Sequence, residues 1–350
     1  MIKYILSALC LVACAAPSIA QKKITVEDIW QKGTFRQKGV PGFNFLKDGK
    51  HYSANMGDVI ARFDLTTGKQ DGTIFESKTP FDDYKFSDDE SKILFATNSE
   101  QIYRRSSKGC YNVWDGKMSS PLTPSPKESS RTVKQSNPTF NPQATHVAFT
   151  ADNNLCIKDI ANNSDYQVTF DGEKNRIING MCDWVYEEEF AFTRAFEWSP
   201  DGTKIAFLRF DESAVPEFSM EKFSNGVYPE PIKFKYPKVG EKNSVVTVWI
   251  YDLNSLKDKK GKFTAGKSGV GYIKQKTPVL TQVNIEGSYE YIPRLKWTPD
   301  NQLIVFKLNR LQNELDFLLA DTKTGKTSLL MKETRPTYVD VELNDDMLYR

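Results

Sequence analysis

The chain has 350 residues, about twice the size of a typical single domain, so it holds either two domains or one large repetitive β architecture. Hydrophobic residues make up 39% of it and aromatic residues 12%, which excludes a disordered or collagen-like protein. The 47 basic and 45 acidic residues leave a formal net charge of +2, too small to attract nucleic acid or an anionic membrane through its overall field. We therefore expect no nucleic-acid partner, and any binding must be local.

The N-terminus has the layout of an export signal. Lys3 precedes an apolar run from Tyr4 to Ile19, and small residues lie at the end of this run. Pro17 interrupts the run, which disfavours a transmembrane anchor. We expect cleavage after Ala20 and a location in the periplasm, at the cell surface or outside the cell. The run also contains a lipobox-like sequence that ends at Cys14, so a lipid-anchored form stays open.

Few residues are available for metal binding or nucleophilic catalysis. Cys110, Cys156 and Cys182 remain after the signal, and their wide spacing favours free buried thiols over a disulfide framework or a zinc site. His51 and His146 are the only histidines, and both are more typical of structural positions. The chain has no Gly-x-Ser-x-Gly elbow, so we predict no catalytic residue within it. These few cysteines and histidines also predict no metal site, and we expect no cofactor.

An aromatic residue followed by a short Asp/Pro/Gly turn recurs at least five times, each time before a short apolar strand. These marker aromatics are Phe45, Phe86, Phe140, Trp198 and Trp297. The strands after the turns include Lys92–Phe95, His146–Phe149, Lys204–Phe207 and Leu303–Phe306. Successive markers are 41, 54, 58 and 99 residues apart, and the first spacing matches a propeller blade of about 40 to 50 residues.

The repeats predict an all-β fold and, more specifically, a β-propeller with four strands per blade. An antiparallel sandwich is the competing architecture, but sandwiches do not repeat one unit at blade spacing. Further strands are predicted at Ile60–Leu65 and Val246–Tyr251. A helix is predicted to begin after Thr25, which has an acidic residue three positions later. Residues 215–242 contain four prolines and predict an extended loop inserted into a blade.

Residues Gly261–Ser268 match the phosphate-binding loop pattern of nucleotide-binding proteins. A phosphate-binding loop must leave a buried strand and open a helix, so that backbone N–H groups converge on the anion. Here the flanking sequence is basic on one side and broken by glycines on the other. We expect a solvated hairpin loop that binds no nucleotide.

The sequence from Asp183 to Phe192 holds three consecutive glutamates between bulky aromatic residues. A run of like charges is most often a solvated face. The flanking Trp184, Tyr186 and Phe190 favour an anchored run instead, and anchored carboxylates bind cations.

At this run the chain resembles the dipeptidyl peptidase IV family, which are prolyl oligopeptidase-type serine peptidases. The resemblance includes the lead-in Asn179-Gly180, the run itself, Trp198–Gly202 and Asp211–Pro216, and further similar segments are Tyr236–Gly240 and Asn309–Asn313. It implies an eight-bladed propeller that is only partly present here. The family's C-terminal α/β-hydrolase domain lies outside this sequence.

The resemblance also implies which residues bind substrate. In the family the second and third glutamates of the run hold the free α-ammonium group of the peptide, and these are Glu188 and Glu189 here. Glu187 is left to a structural contact or to solvent. A family arginine that binds a substrate carbonyl corresponds to Arg104, with the neighbouring Arg105 as the alternative, because two of the four residues around it differ from the family motif.

Under this resemblance, residues 1–20 are the signal, 21–35 a segment that packs on the hydrolase domain in the family, and 36–350 a partial propeller. The parent would remove N-terminal dipeptides, Xaa-Pro and less well Xaa-Ala, while this chain alone would be inactive. Its partners would be peptides with a free N-terminus and the hydrolase domain of the same polypeptide, and a homodimer stays open. The alternative is a non-enzymatic periplasmic propeller that acts as a scaffold or binding module.

Overall fold

The computed structural model describes residues 23–37, 42–122, 133–224, 226–256 and 279–341. The signal segment, including Cys14, and the Gly261–Ser268 motif lie outside these residues. The chain divides into two compact units, with the division between Phe43 and Asn44. None of the helices in the described ranges has the length and apolar character needed to cross a membrane.

The first unit contains the predicted helix, α1, which runs over Val26–Trp30. The backbone N–H of Asp28 donates to Thr25 Oγ1 at 3.1 Å, and the backbone N–H of Thr25 donates to Asp28 Oδ2 at 3.3 Å. The two residues therefore satisfy each other's N-terminal donors, as a capping box does. The prediction of a helix after Thr25 is confirmed.

The second unit is built from antiparallel sheets whose strands follow one another along the chain. The first sheet contains β1 (Phe43–Phe45), β2 (His51–Asn55), β3 (Val59–Asp64) and β4 (Gln70–Glu76). The second contains β5 (Asp83–Phe86), β6 (Ile93–Gln101), β7 (Ser107–Trp114) and β8 (Ser119–Pro121). The third contains β9 (Ser136–Phe140), β10 (His146–Ala151), β11 (Asn154–Asp159) and β12 (Ser164–Gln167).

Two further sheets complete the described part of this unit, together with a hairpin and a second helix. The fourth sheet contains β13 (Ile177–Asn179), β14 (Phe196–Trp198), β15 (Lys204–Asp211), β18 (Val245–Asp252) and β19 (Leu280–Gln282). The fifth contains β20 (Leu295–Trp297), β21 (Leu303–Leu308), β22 (Glu314–Ala320) and β23 (Thr327–Thr334). Helix α2 spans Trp184–Glu189, and a 3-10 turn spans Leu253–Leu256. The all-β prediction is confirmed, and the predicted strands after the repeated turns lie in β6, β10, β15 and β21.

The two marker tryptophans connect successive sheets. Trp198 in β14 donates its indole N–H to the carbonyl of Thr139 in β9, at 3.2 Å. Trp297 in β20 donates in the same way to the carbonyl of Glu197 in β14, at 3.0 Å. A buried indole needs an acceptor, and here the first strand of the preceding sheet supplies it. These two tryptophans are therefore contacts between sheets as well as part of the core.

The repeated turns also contact one another. The Lys47 N–H donates to Glu90 Oε1 at 2.8 Å, which joins the first turn to the second. Gln143 Nε2 donates to the carbonyl of Pro200 at 2.9 Å, which joins the third turn to the fourth. The fourth and fifth turns are joined by the Asp201 N–H and Asn301 Oδ1, also at 2.9 Å. Equivalent turns of successive sheets therefore lie side by side.

The prediction of an extended loop over residues 215–242 needs a correction. A regular antiparallel hairpin lies there, made of β16 (Glu217–Lys222) and β17 (Glu230–Lys235). It is inserted between β15 and β18, which pair with each other over eight residues. Pro231 lies inside β17, opposite Glu221. Each strand of a two-stranded ribbon is an edge strand, and edge strands accept a proline without losing a ladder hydrogen bond.

The first strand of the fourth sheet is interrupted. Both β13 and β14 pair with β15, β13 through Asn179 opposite Arg209 and β14 through Phe196 opposite Phe207. Between them, residues 181–194 leave the sheet and return to it. The Ala195 N–H donates to the Gly180 carbonyl at 3.1 Å and closes the base of this segment. The fourth sheet therefore carries a short insertion on its first strand, and this insertion contains α2.

Gly180 makes the exit from the sheet possible. Its φ is +74°, in the left-handed region, which residues other than glycine rarely adopt. A Cβ at this position would lie 3.1 Å from Leu155 Cδ1 and 3.2 Å from Thr150 Cγ2, which is tighter than ordinary contact. Both the backbone angle and the neighbouring third sheet therefore favour glycine.

We predict that Gly180→Ala destabilises the chain by about 2 kcal/mol, because it adds a close contact to the cost of a positive φ. Gly49→Ala is the matched control, since Gly49 has φ +67° and a Cβ added there would have no heavy atom within 4 Å. Urea unfolding of both variants measures the difference. If Gly180→Ala and Gly49→Ala lose the same free energy of unfolding, the packing around Gly180 is not tight.

Candidate functional site

Helix α2 begins at Asp183, which caps it from a buried position. Asp183 Oδ1 accepts the backbone N–H of Tyr186 at 2.9 Å, and its Oδ2 accepts the hydroxyl of Ser244 at 2.6 Å. Burial raises the pKa of this carboxyl above its ordinary value, and these two hydrogen bonds act in the opposite direction. The helix ends where Ala191 adopts φ +58°, a left-handed conformation that turns the chain back toward β14.

Tyr186 fixes the helix to the core. Its side chain is buried, with its ring centroid 5.0 Å from that of Phe190 and 4.8 Å from that of Phe210. Its hydroxyl oxygen accepts the backbone N–H of Ile292 at 2.9 Å, just before the fifth sheet. The aromatic residues of the run are therefore anchors, as the sequence indicates.

Glu187 has no exposed surface and connects α2 to the loop between β6 and β7. Its Oε1 accepts two backbone N–H groups, from Arg105 at 2.5 Å and from Ser106 at 2.8 Å. Hydrogen bonds to a carboxylate are stronger than those between neutral groups. The sequence left Glu187 either to a structural contact or to solvent, and in the structure it makes the structural contact.

The same loop presents Arg104 to Glu188. The Arg104 Nε lies 2.8 Å from Glu188 Oε2 and 3.2 Å from Oε1. The Arg104 side chain is 71% exposed and that of Glu188 is 17% exposed, so the pair lies at an open surface. Glu189 follows Glu188 at the exposed end of the helix. Arg104 and Glu188 therefore form an ion pair at this surface, and Glu189 is the exposed next residue of the helix.

The structure brings Arg104 and Glu188 into contact and leaves Glu189 accessible beside them. Arg105 contributes its backbone to Glu187, so Arg104 is the residue whose side chain faces the glutamate run. Sequence analysis missed the helix itself. Asp183 was the available signal, because aspartate is a preferred N-cap residue, and here it accepts the backbone N–H of Tyr186, three residues later. Substrate binding by Arg104, Glu188 and Glu189 stays a prediction.

The histidines, Cys110 and Cys156 lie outside the insertion that carries this site, whereas Cys182 directly precedes the Asp183 cap. His51 Nδ1 lies 2.5 Å from Asp48 Oδ2 in a turn of the first sheet. His146 is buried, with Nδ1 at 2.9 Å from Thr145 Oγ1. The three cysteines after the signal are free thiols, two of them buried and Cys110 half-buried. Within the described ranges, no group of three or more His, Cys, Asp or Glu side chains could hold a metal ion.

A buried acidic group lies close to the α2 cap. Glu212 is 6% exposed, and burial raises its pKa to about 7, with the nearby Asp183 charge as the second cause. Lys235 of the hairpin acts in the opposite direction. Because the folded pKa lies above the ordinary value of 4.5, the folded chain holds this proton more tightly than the unfolded chain does. Stability is therefore lost as pH rises from about 4.5 to about 7.

We predict that Glu187→Ala loosens the 102–106 loop, because it leaves two backbone donors without their acceptor. The expected loss of stability is about 2 to 4 kcal/mol, and amide exchange at Arg105 and Ser106 should become faster. Glu189→Ala, which removes an exposed neighbour, should change stability by less than about 0.5 kcal/mol. Unchanged exchange at both amides in Glu187→Ala would contradict the anchoring role.

We predict that Glu212→Gln reduces the loss of stability between pH 4.5 and pH 7 by up to about 3 kcal/mol. Part of the pH dependence of stability should remain, because burial also raises the pKa of Asp165 to about 7. Glu221→Gln, at an exposed position of β16, should leave the pH dependence of stability unchanged. Thermal unfolding across this pH range measures the effect. If the stability of Glu212→Gln falls with pH as steeply as that of the wild type, the prediction is wrong.

Comparisons with known proteins agree with this architecture. The sequence model of the dipeptidyl peptidase IV (DPP IV) N-terminal region matches residues 87–350. The crystal structure of Porphyromonas gingivalis dipeptidyl peptidase 4 superposes with a TM-score of 0.74 at 32% identity, and the match covers 91% of this chain and 43% of that one.

Curated relatives match as well. A probable dipeptidyl-aminopeptidase B of Chaetomium globosum is 38% identical over 179 residues, which cover 47% of this chain and 19% of the relative. The inactive dipeptidyl peptidase 10 of Mus musculus is 26% identical over 306 residues, which cover 85% of this chain and 36% of the relative. The chain thus spans a minor part of the length of these relatives. It belongs to the family defined by the N-terminal region of dipeptidyl peptidase IV.

Proposed function

We propose that this chain is the substrate-selecting β-propeller part of an exported serine dipeptidyl peptidase, and that α2 carries its amino-terminus binding site. In this proposal each of the five sheets is one blade of a propeller that has eight blades by family resemblance. The export signal at residues 1–20 would bring the protein to the periplasm, the cell surface or the medium.

The contacts between sheets support the propeller. Four of the five sheets have four strands in sequence order, and the fourth differs by its interrupted first strand. Trp198 and Trp297 each bond the first strand of the preceding sheet, and equivalent turns lie side by side. A radial arrangement of blades repeats the same contact at each step, whereas a sandwich does not.

The observation that carries the proposed activity is the pairing of Glu188 with Arg104 beside the exposed Glu189. A protonated α-amino group has three N–H donors and one positive charge, which two adjacent carboxylates can satisfy. Arg104 offsets one of the two negative charges and keeps donors available for a peptide carbonyl. Such a site selects peptides with a free N-terminus, which makes the parent an exopeptidase.

The remaining chemistry belongs to other parts of the polypeptide in this proposal. The serine nucleophile, the oxyanion donors and the proline pocket would lie in a C-terminal α/β-hydrolase domain. That domain would cleave after the second residue, after proline and less well after alanine. The 350-residue chain alone would then bind peptides without hydrolysing them.

A non-enzymatic binding module is the second candidate. One observation favours it: a relative that matches 85% of this chain is described as an inactive dipeptidyl peptidase. The two candidates differ in the parent gene, where a Gly-Trp-Ser-Tyr-Gly-type elbow followed by Asp and His would support the peptidase.

We predict that Glu188→Gln and Glu189→Gln each lower kcat/KM of the parent enzyme by roughly 10- to 150-fold on dipeptide amides with a free N-terminus. The reason is the loss of one charge-assisted hydrogen bond, about 1.5 to 3 kcal/mol. Glu221→Gln is the control for loss of a carboxylate elsewhere in the chain and should keep wild-type efficiency.

The same assay with N-acetylated substrates tests the selection of the amino group. Acetylation removes the positive charge, so the wild-type enzyme should reject these substrates. If both variants keep wild-type efficiency and still reject N-acetylated substrates, the glutamate run is a solvated charge cluster and the site assignment fails.

A further inference from the structure

The hairpin inserted between β15 and β18 has an aromatic face near its base. Phe218 of β16 lies opposite Phe234 of β17, with their ring centroids 6.0 Å apart. Tyr236 directly follows β17, and its ring centroid lies 5.4 Å from that of Phe218. These three residues are half-buried, whereas most residues of the two strands are exposed. Other parts of the chain therefore cover this face of the hairpin.

Two aromatic residues outside the hairpin contact its aromatic face. The ring centroid of Phe234 lies 5.9 Å from that of Tyr103, in the loop between β6 and β7. The ring centroid of Tyr236 lies 4.4 Å from that of Trp184, the first residue of α2. Aromatic pairs at these separations attract each other beyond the effect of burial. We call the five rings the aromatic brace: Tyr103, Trp184, Phe218, Phe234 and Tyr236.

The aromatic brace lies next to both partners of the ion pair in the candidate site. Tyr103 directly precedes Arg104 in the chain. Trp184 lies four residues before Glu188 in α2, so the two side chains are neighbours on one face of the helix. Arg104 and Glu188 meet at 2.8 Å. The hairpin therefore contacts the immediate neighbour of each charged group.

The loop around Arg104 is held on both sides by hydrogen bonds to its backbone. On one side, Glu187 accepts the backbone N–H of Arg105. On the other side, Gln101 Nε2 donates to the carbonyl of Tyr103 at 2.6 Å. These bonds hold the backbone, while the Tyr103 ring packs on the hairpin. The direction in which the exposed Arg104 side chain leaves the loop therefore depends on this packing as well.

The base of the hairpin is itself fixed beside the aromatic brace. Lys235 Nζ donates to the carbonyl of Val215 at 2.7 Å. The backbone N–H of Tyr236 donates to the carbonyl of Pro216 at 3.0 Å. Both bonds lie within two residues of Phe234 and connect the end of β17 to the segment that enters β16. Phe234 therefore presents its ring to Tyr103 from a rigid support.

We propose that Phe234 is a positioning residue for substrate binding, which acts through the Tyr103 ring to hold Arg104 in the orientation that receives a peptide carbonyl. The inference rests on the proposed function, because that function gives Arg104 the carbonyl contact. Without the Phe234 ring the loop holds this orientation for only part of the time, and the apparent affinity for the peptide falls in proportion. The chemical step takes place elsewhere, so kcat should not follow.

The test measures kcat and KM of the full-length parent enzyme on dipeptide amides with a free N-terminus. Phe234→Ala should raise KM about 5-fold and leave kcat within about 2-fold of the wild type. Phe234→Tyr keeps the ring and should keep the wild-type KM. Phe234→Leu keeps an apolar side chain without a ring and should raise KM about 2-fold. It remains informative if Phe234→Ala does not fold.

A double-mutant cycle with Arg104→Ala shows whether the effect passes through Arg104. In that background Phe234→Ala should change KM by less than about 2-fold, because the side chain that it positions is gone. Ile232→Ala is the matched control, since Ile232 lies on the same face of β17, nearer the tip and 40% exposed, and KM should not change. An equal rise in KM in both backgrounds would assign the effect to stability or assembly and overturn the proposal.

The outcomes also distinguish this inference from the proposed function. If the wild type rejects N-acetylated substrates while Phe234→Ala and Phe234→Leu keep its KM, the positioning inference is wrong and the proposed function stands. If the wild type cleaves N-acetylated and free substrates equally well, the proposed function is wrong and the positioning inference falls with it.

Discussion

The contact of Glu187 with the backbone of Arg105 and Ser106 is the constraint on which the candidate site depends. Helix α2 has six residues, far fewer than a helix needs to be stable alone in water. It holds its shape through tertiary contacts, and Glu187 makes the buried one that reaches the loop between β6 and β7 of the second sheet. Without this contact, Arg104 and Glu188 would have no fixed separation. A buried carboxylate thus positions the two side chains of a more exposed ion pair.

The interrupted first strand of the fourth sheet explains why the site can be both rigid and accessible. Residues 181–194 leave the sheet after Gly180 and return before β14, with both ends bonded to each other or to β15. The insertion is therefore supported by regular sheet structure at its base. Its outer part carries the glutamates, and its return path, from Ala191 onward, lines a cavity.

Much of the fold could be predicted because its signals are local. The turns after Phe86 and Trp198 and the capping box at Thr25 each depend on residues within a few positions of one another. The hairpin at residues 217–235 has the sequence pattern of a loop, because its prolines are normally excluded from strands and only a free edge accepts them. That exception depends on tertiary placement, which a local pattern does not contain.

The glutamate run could be singled out from sequence, but the roles of its members could be separated only by family resemblance. In the structure the separation depends on residues more than 80 positions away, since Glu187 meets Arg105 and Glu188 meets Arg104. The cavity beside the end of α2 was missed for the same reason. Arg194 and Arg294 lie 100 residues apart and face one space only because β14 and β20 are neighbouring first strands.

A crystal structure of the full-length parent with a bound peptide that has a free N-terminus tests the central claim most directly. Our account predicts the peptide ammonium nitrogen within about 3.2 Å of carboxylate oxygens of both Glu188 and Glu189. It also predicts Glu187 still bonded to the N–H groups of Arg105 and Ser106. A peptide whose ammonium group lies elsewhere, with Glu188 and Glu189 exposed to solvent, would contradict the account.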